Sequence, residues 1–393
     1  MSLSKSRFIE MFGDPIKNEK RWPQLTLDSV CDGIGDGLHG TPEYDDLGAF
    51  YFINGNNLIN GTIVITPSTK KVNETTYKKY FTNISSNALL LSINGTLGKI
   101  AFYNDEAITL GKSACYINLK SFVNRYFVFE LMRTDPFLKY LEENSTKSTI
   151  KNVSLKTIRN FKLISPPEIL QNDFIAFSKQ IDKSKFLLQK ILEKLELLKK
   201  SRFIEMFDKE NKEVSLKDCC EIHARIGWQA LTQKEHMKSG EYVLVTGTDF
   251  VNNAINFDSC VYVKKERYEM DPHIILKEND ILVTKDGTIG KVAIVKNLPK
   301  PATLNSGIFV IRPDRRFDKD YIAYVFKGPI FEHFVDSVKT GATIKHLNQN
   351  KLVEFKIPVP TLKKQEEFSL FCHHLDKSKL VIQKSLEDLV GKS

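Results

Sequence analysis

No stretch of this sequence approaches the ~18 uninterrupted apolar residues that a membrane span requires, so no membrane-crossing helix is expected. The segment Met1 to Glu10 carries charges where a signal peptide needs its apolar stretch, which predicts a chain that stays in the cytoplasm. The six cysteines (Cys31, Cys115, Cys219, Cys220, Cys260 and Cys372) contain no C-x-x-C pair. That spacing argues against a zinc site and against a disulfide framework, so no metal is expected and a reduced compartment fits. Catalytic signatures are missing too. Gly95-Thr96-Leu97-Gly98-Lys99 has two residues between its glycines where a phosphate-cradling loop needs four, and Gly111-Lys112-Ser113 would need a glycine where Glu106 stands. There is no G-x-S-x-G elbow and no H-E-x-x-H motif. Asn-Pro-Pro-aromatic, with which amino-methyltransferases hold a target base, is absent, and Ser165-Pro166-Pro167-Glu168 does not replace it. His373-His374 reads as a surface pair. The expected function is therefore non-catalytic.

What is present is length, positive charge and repetition. A chain of 393 residues suits two or three domains. Its net charge of +9 and pI near 9.0 favour polyanionic partners, because binding them releases condensed counterions. A charged surface kept for solubility is the plainer alternative.

Self-comparison decides the architecture. Ser6-Arg7-Phe8-Ile9-Glu10-Met11-Phe12 recurs letter for letter at Ser201 to Phe207, an offset of 195. Asn94-Gly95-Thr96-Leu97-Gly98-Lys99-Ile100-Ala101 returns as Asp286-Gly287-Thr288-Ile289-Gly290-Lys291-Val292-Ala293, an offset of 192. Thr149-Ile150-Lys151 returns as Thr343-Ile344-Lys345, and Asp182-Lys183-Ser184-Lys185 as Asp376-Lys377-Ser378-Lys379, both offset by 194. The chain is a tandem duplication. In the middle of the chain Leu195 leads into the Ser201–Phe207 heptapeptide, but after the matching Leu389 the chain stops short of it. The missing copy stands at the start, Ser6 to Phe12, as if one ring had been cut open. The two ends are expected to lie close together, with approximate two-fold symmetry.

Between these motifs the copies diverge. Gly37-Leu38-His39-Gly40-Thr41-Pro42 faces Ala224-Arg225-Ile226-Gly227-Trp228-Gln229, and Tyr51 to Asn57 faces Tyr242 to Thr248. Two readers of different targets would look like this, and so would drift after duplication.

Phe174, Phe177, Ile181, Ser184, Leu188, Ile191, Leu195 and Leu198 step by three and four, a heptad seam on a helix. Pro166-Pro167 precedes it, where proline cannot interrupt the helix. The second copy repeats the seam as Phe368, Phe371, Leu375, Ser378, Ile382, Ser385 and Leu389 after Pro358 and Pro360. Each seam needs an apolar partner and each copy offers the other, in antiparallel sense. Helices of about 30 residues would be about 45 Å long. The segments outside them read as mixed α and β. Leu89 to Ile93 and Ile281 to Thr284 read as strands closed by Asn94-Gly95 and Asp286-Gly287 turns. Tyr126 to Leu141 and Tyr321 to Val335 each read as one amphipathic helix.

Taken in order and twice over, these marks resemble the specificity subunit of type I restriction–modification systems. They are Gly95–Lys99 and Gly287–Lys291, Thr146–Lys151 and Thr340–Lys345, Pro166-Pro167 with Gln171, Pro358 and Pro360 with Gln365, and the two heptapeptides. Leu170 and Lys364 depart from the acidic residue usual before the glutamine. The resemblance implies an α+β fold: two pseudo-two-fold-related globular target recognition domains separated by a long antiparallel two-helix coiled coil. The expected segments are 1–19, completing the distal helical region; 20–165, the first recognition domain; 166–210, the central long helix; 211–359, the second recognition domain; and 360–393, the distal long helix. It also implies double-stranded DNA with a bipartite site as target, two modification (methyltransferase) subunits docked on the helices, and restriction or motor subunits joining them. No cofactor is expected on this chain, since S-adenosylmethionine would sit on the modification subunits. An assembly scaffold that never touches DNA, or service to a fused methyltransferase–nuclease, are the alternatives.

The candidate DNA contacts are polar residues of the divergent segments. In the first copy these are His39, Thr41, Tyr44, Asn54, Asn56 and Asn57, and in the second Arg225, Trp228, Gln229, Thr246 and Thr248. Asn and Gln match adenine and Arg matches guanine through paired donors and acceptors. For each one, capping a turn of its own loop is the competing role. Lys99, Lys151, Lys291 and Lys345 recur in both copies, which suits either phosphate contact or a local hydrogen bond that orients the motif.

Overall fold

Ala88–Ser92 and Ile281–Thr284 are buried at every position, so each is an inner strand covered on both faces, which is why polar alternation is missing from both runs. In the computed structural model, which describes residues 3–80, 82–207, 210, 212–227, 231–251, 253–339 and 346–391, these two strands anchor two compact units. One comprises the chain up to Gln189 together with the residues from Gln383 on, and the other runs from Lys190 to Ile382.

In the first unit Ala88–Ser92 lies between Ala114–Leu119 and Ile100–Phe102, and Ala114–Leu119 pairs in turn with Cys31–Asp36, all antiparallel. A second sheet sets Phe50–Ile53 between Lys71–Val72 and Ile108–Leu110, the latter pairing parallel. The second unit repeats the plan with Cys220–Ala224, Ile308–Pro313, Ile281–Thr284 and Val292–Ile294, and with Val261–Val263, Tyr242–Val245 and Ala302–Leu304. Short ladders tie the start of each half to the strand before its long helix: Gln24–Thr26 with Lys162–Ile164, and Glu213–Ser215 with Lys356–Pro358.

The stretch read as one helix from Tyr126 to Leu141 is two, Arg125–Met132 and Asp135–Glu143. Thr134 adopts an extended backbone and its hydroxyl caps the amide of Phe137, while Pro136 occupies the first turn, where its missing N–H costs nothing. The second copy breaks likewise into Lys319–Lys327 and Pro329–Lys339 at Gly328, because a residue before proline is pushed out of helical geometry.

The helix after Pro166-Pro167 runs unbroken from Glu168 to Phe207, 40 residues, so the heptapeptide is its last two turns. Leu362–Val390 is its 29-residue counterpart. Within the second unit the end of the first helix packs antiparallel along the start of the second: Glu196 pairs with Lys379, Lys199 with Asp376 and Arg202 with Glu367. Phe203 and Phe207 close on Phe368 and Tyr321 with ring centroids 5.2–6.3 Å apart. Within the first unit the helix Leu3–Phe12 takes the same seat. Phe8 and Phe12 close on Phe174 and Phe127 at 5.2–5.6 Å. The residues from Gln383 onward group with this unit as well. No helix among the described residues is long and apolar enough to cross a membrane.

Candidate nucleic-acid interface

The repeated glycine motif is a turn bracketed by a hydroxyl. Ser92 Oγ donates to Thr96 O (2.6 Å) and accepts the amide of Lys99 (2.9 Å). Thr284 does the same with Thr288 O (2.5 Å) and the amide of Lys291 (3.0 Å). Gly98 and Gly290 stand at φ +79° and +84°, a left-handed geometry that glycine adopts without penalty. Lys99 and Lys291 thus hold the motif through their backbone, and their side chains project to clefts of about 380 and 650 Å³, beside Arg133 and Lys327 respectively. Burial pulls the Lys327 amine down to about 8. Lys151 is exposed and paired with Glu142 Oε1 at 2.9 Å, while its carbonyl accepts the amide of Gly95. That ion pair holds the Glu142 carboxyl below the ordinary carboxylate range. Lys345 lies outside the described residues.

In the first unit the segment after Cys31–Asp36 passes so near the backbone of Leu110 that a Cβ at Gly37 would sit 2.1 Å from its oxygen. This brings His39 out to solvent, with Nε2 2.6 Å from Asp36 Oδ2, at the edge of a cleft of about 500 Å³ shared with Asn94, Lys112 and Asn152. Thr41 is exposed. Tyr44 packs edge-on to Phe52 (5.7 Å) beneath the Lys70 ammonium (5.8 Å).

Asn54 to Asn57 form a 3₁₀ turn, and two of these asparagines are committed to it. Asn57 Oδ1 accepts the amide of Asn54 (3.0 Å) while its Nδ2 donates to Val64 O (3.0 Å), and Asn54 Oδ1 accepts the hydroxyl of Ser113 (2.9 Å). Asn56 remains exposed, on a cleft of about 300 Å³ with Thr66, Ser68 and Lys70. The second unit builds the same turn from Thr246 to Asp249. Buried Asp249 accepts the amide and hydroxyl of Thr246 (both 2.8 Å), and Thr248 is exposed where Asn56 is.

Arg225 requires a correction. It is 1% exposed, with Nε on Leu304 O (2.8 Å) and Nη2 on Thr303 Oγ1 (3.1 Å), so its guanidinium is turned into the unit and not displayed on a loop surface as expected. Trp228 and Gln229 lie outside the described residues. The structure also brings forward Lys70, Lys112, Asn94 and Asn152, none of which is among the candidate contacts expected from sequence. A signal existed for Lys70, in the polar cluster Pro67-Ser68-Thr69-Lys70-Lys71. Asn152 is marked by the fold, through its side-chain contact with Asn94 (3.2 Å) and its backbone bonds with Thr146.

Two halves of one plan, each carrying a framework turn and its own exposed polar loops, define a tandem recognition module. The chain belongs to the type I restriction modification DNA specificity domain family, whose model matches residues 20–197 and 208–390. It is accordingly a DNA specificity subunit, the non-catalytic recognition component of such a system. Among its relatives, the type I restriction enzyme MjaVIII specificity subunit of Methanocaldococcus jannaschii is 23% identical over 72% of this chain and 71% of its own length. The MjaIX specificity subunit of that organism is 30% identical over 26% of this chain and 23% of its own length. The fold is that of the S subunit from M. genitalium (TM-score 0.51, 15% identity, 94% of this chain and 93% of that one). It is also that of a chain solved in work on complex assembly and conformational transition of the type I system (TM-score 0.61, 16% identity, 93% of both chains).

Proposed function

We propose that each unit reads one part of a bipartite site in double-stranded DNA. In this reading residues 20–165 and 211–359 are the two recognition domains, and 166–210 with 360–393 and 1–19 form the helical region on which two modification subunits dock. The carrying observation is the matched turn. Asn54-Gly55-Asn56-Asn57 and Thr246-Gly247-Thr248-Asp249 spend equivalent residues on their own geometry and leave unlike side chains, Asn56 and Thr248, exposed at equivalent places. Equal frameworks presenting different polar groups discriminate different base edges.

His39, Thr41 and Tyr44 join Asn56 as contacts of the first unit, with Lys70 and Lys112 beside them. Thr248 serves in the second unit together with Trp228 and Gln229. Asn54, Asn57 and Thr246 support the reading turns from beneath. Lys99, Lys291 and Lys345 hold phosphates, and Lys151 does so once it releases Glu142. S-adenosylmethionine belongs to the modification subunits, which methylate adenine, and motor–nuclease subunits join for cleavage, in the cytoplasm.

The test is adenine-methylation mapping with the assembled complex carrying Asn56→Ala. Discrimination should relax at one part of the site, with about 1–3 kcal/mol lost per direct base contact. Equal weakening on every DNA sequence would remove Asn56 from the readers.

A further inference from the structure

The second unit carries a pair of thiols that the first lacks. Successive residues of a strand point to opposite faces, so adjacent cysteines in regular β structure keep their sulfurs apart. Cys219 escapes that rule. It ends the 3₁₀ turn Leu216–Asp218 with φ −143° and ψ −6°, and the strand starts only at Cys220. The backbone rotation brings the two Sγ atoms to 3.7 Å, the one contact between cysteine sulfurs among the described residues. Cys219 is buried at 3% exposure, and Cys220 is half-buried and gives the pair its access to solvent. In the first copy the corresponding residues are Val30 and Cys31.

We propose that Cys219 and Cys220 are a redox modification site, closing to a vicinal disulfide under a hydroperoxide and reopening with a thiol reductant. One sulfur of the pair, as thiolate, attacks a peroxide oxygen; the O–O bond breaks, and the departing hydroxide takes up a proton to leave as water. The sulfenic acid so formed is attacked by the neighbouring sulfur, the S–S bond forms, and a second water leaves. Two thiols give up two electrons and two protons, and one hydrogen peroxide becomes two waters. The surroundings favour this pair over the other cysteines. The S–H of Cys220 beside it holds the Cys219 thiol below its ordinary range against burial and the Asp314 carboxylate, while the same contact and burial push the Cys220 thiol up. Burial pushes the Cys31, Cys260 and Cys372 thiols up to about 12, which suppresses their thiolates. Transient, sensing disulfides are the kind that reducing compartments tolerate.

Ring closure must draw the sulfurs from 3.7 Å to ~2.05 Å. That movement pulls on the first rung of Cys220–Ala224, where Cys220 faces Pro313 and Cys219 O accepts the amide of Asp314 (2.9 Å). The strand leads directly into Arg225, and both cysteines lie in the second unit.

The full-length protein treated with hydrogen peroxide should lose two hydrogens in intact mass and leave four of its six cysteines titratable after denaturation. A digest should place the link between Cys219 and Cys220, and dithiothreitol should restore all the thiols. Cys219→Val, which copies Val30, should give no such species, and Cys220→Ser serves the same purpose should the valine variant not fold. Six thiols surviving in the wild type, over-oxidation of a single cysteine without a link, or an unchanged link in either variant would overturn the proposal. None of these readouts involves DNA, so they stand or fall apart from the recognition of DNA.

Discussion

Gly98 is held in place by two separate constraints, and they make it a sensitive residue. Its φ of +79° disfavours any side chain, and an added Cβ would lie 2.3 Å from Leu138 Cδ2. Gly98→Ala should therefore destabilise the first unit by about 1–3 kcal/mol, read as a shift in urea midpoint. Gly290→Ala meets Val335 at 3.1 Å and should cost less, although its φ is similar. Equal losses would show that backbone geometry outweighs the collision. The sequence made these glycines visible as a repeated motif but not their purpose, since hydroxyls seven residues upstream in the bond to Lys99 and Lys291 complete the turn. The candidate contacts show the same limit. Residue type marked Asn54, Asn56 and Asn57 alike, and only the fold separates the two that build the turn from the one that faces solvent. Arg225 has the guanine-matching fork, yet Thr303 and Leu304, far away in sequence, claim that fork inside the unit.

At the level of elements, the long helices were legible because a heptad period survives any local context. The break within each shorter helix was not, because its apolar period continues across Thr134 and Gly328 while caps and prolines decide the boundary. Thr134→Ala should cost about 1 kcal/mol, through loss of the cap on Phe137. The seats of the two heptapeptide helices also differ in polar chemistry. In the first unit Ser4 and Ser178 both donate to Glu130 (3.3 and 2.8 Å). In the second, Lys199 and the Tyr324 hydroxyl both bond Asp376 (2.5 Å each). Burial alone would raise the Asp376 pKa, but those two bonds prevail and hold its carboxyl below the ordinary carboxylate range. A depressed folded-state pKa contributes stability above the unfolded value of ~3.9, and that contribution fades as pH falls through the folded value. Asp376→Asn should thus be less stable than wild type at neutral pH, by on the order of 1 kcal/mol for a pair whose carboxylate is still partly in solvent. The gap should narrow as the urea midpoints are followed below pH ~4. A gap that stays constant down to the acid limit would mean that Asp376 ionisation contributes nothing to the seat.

For the molecule as a whole, duplication was the most legible feature, because four motifs at nearly one spacing leave no other reading. Internal packing gives that repeat a physical meaning. Phe8 and Phe12 fill against Phe174 and Phe127 the place that Phe203 and Phe207 fill against Phe368 and Tyr321. One of these helices is the ten-residue Leu3–Phe12 and the other is the end of a 40-residue helix, so continuity with a long helix is not what seats them. Aromatic burial is, and truncating such a ring costs about 3–5 kcal/mol. Phe8→Ala and Phe203→Ala should each lower stability by that order, one in each unit. The stronger consequence is a permuted chain, opened after Phe207 and joined by a short flexible linker from the Gln383–Val390 segment to Leu3–Phe12, since both segments belong to the first unit. Its Ser201–Phe207 helix becomes a chain end, and its Ser6–Phe12 helix is joined to the Gln383–Val390 segment. If the seats are equivalent, the permutant should keep the wild-type melting temperature within a few degrees and, with modification subunits added, the same methylated adenines. A permutant that folds only in one unit, or that methylates a different set of sites, would show that the duplicated halves are fixed by their order along the chain and not by the packing of these aromatic pairs.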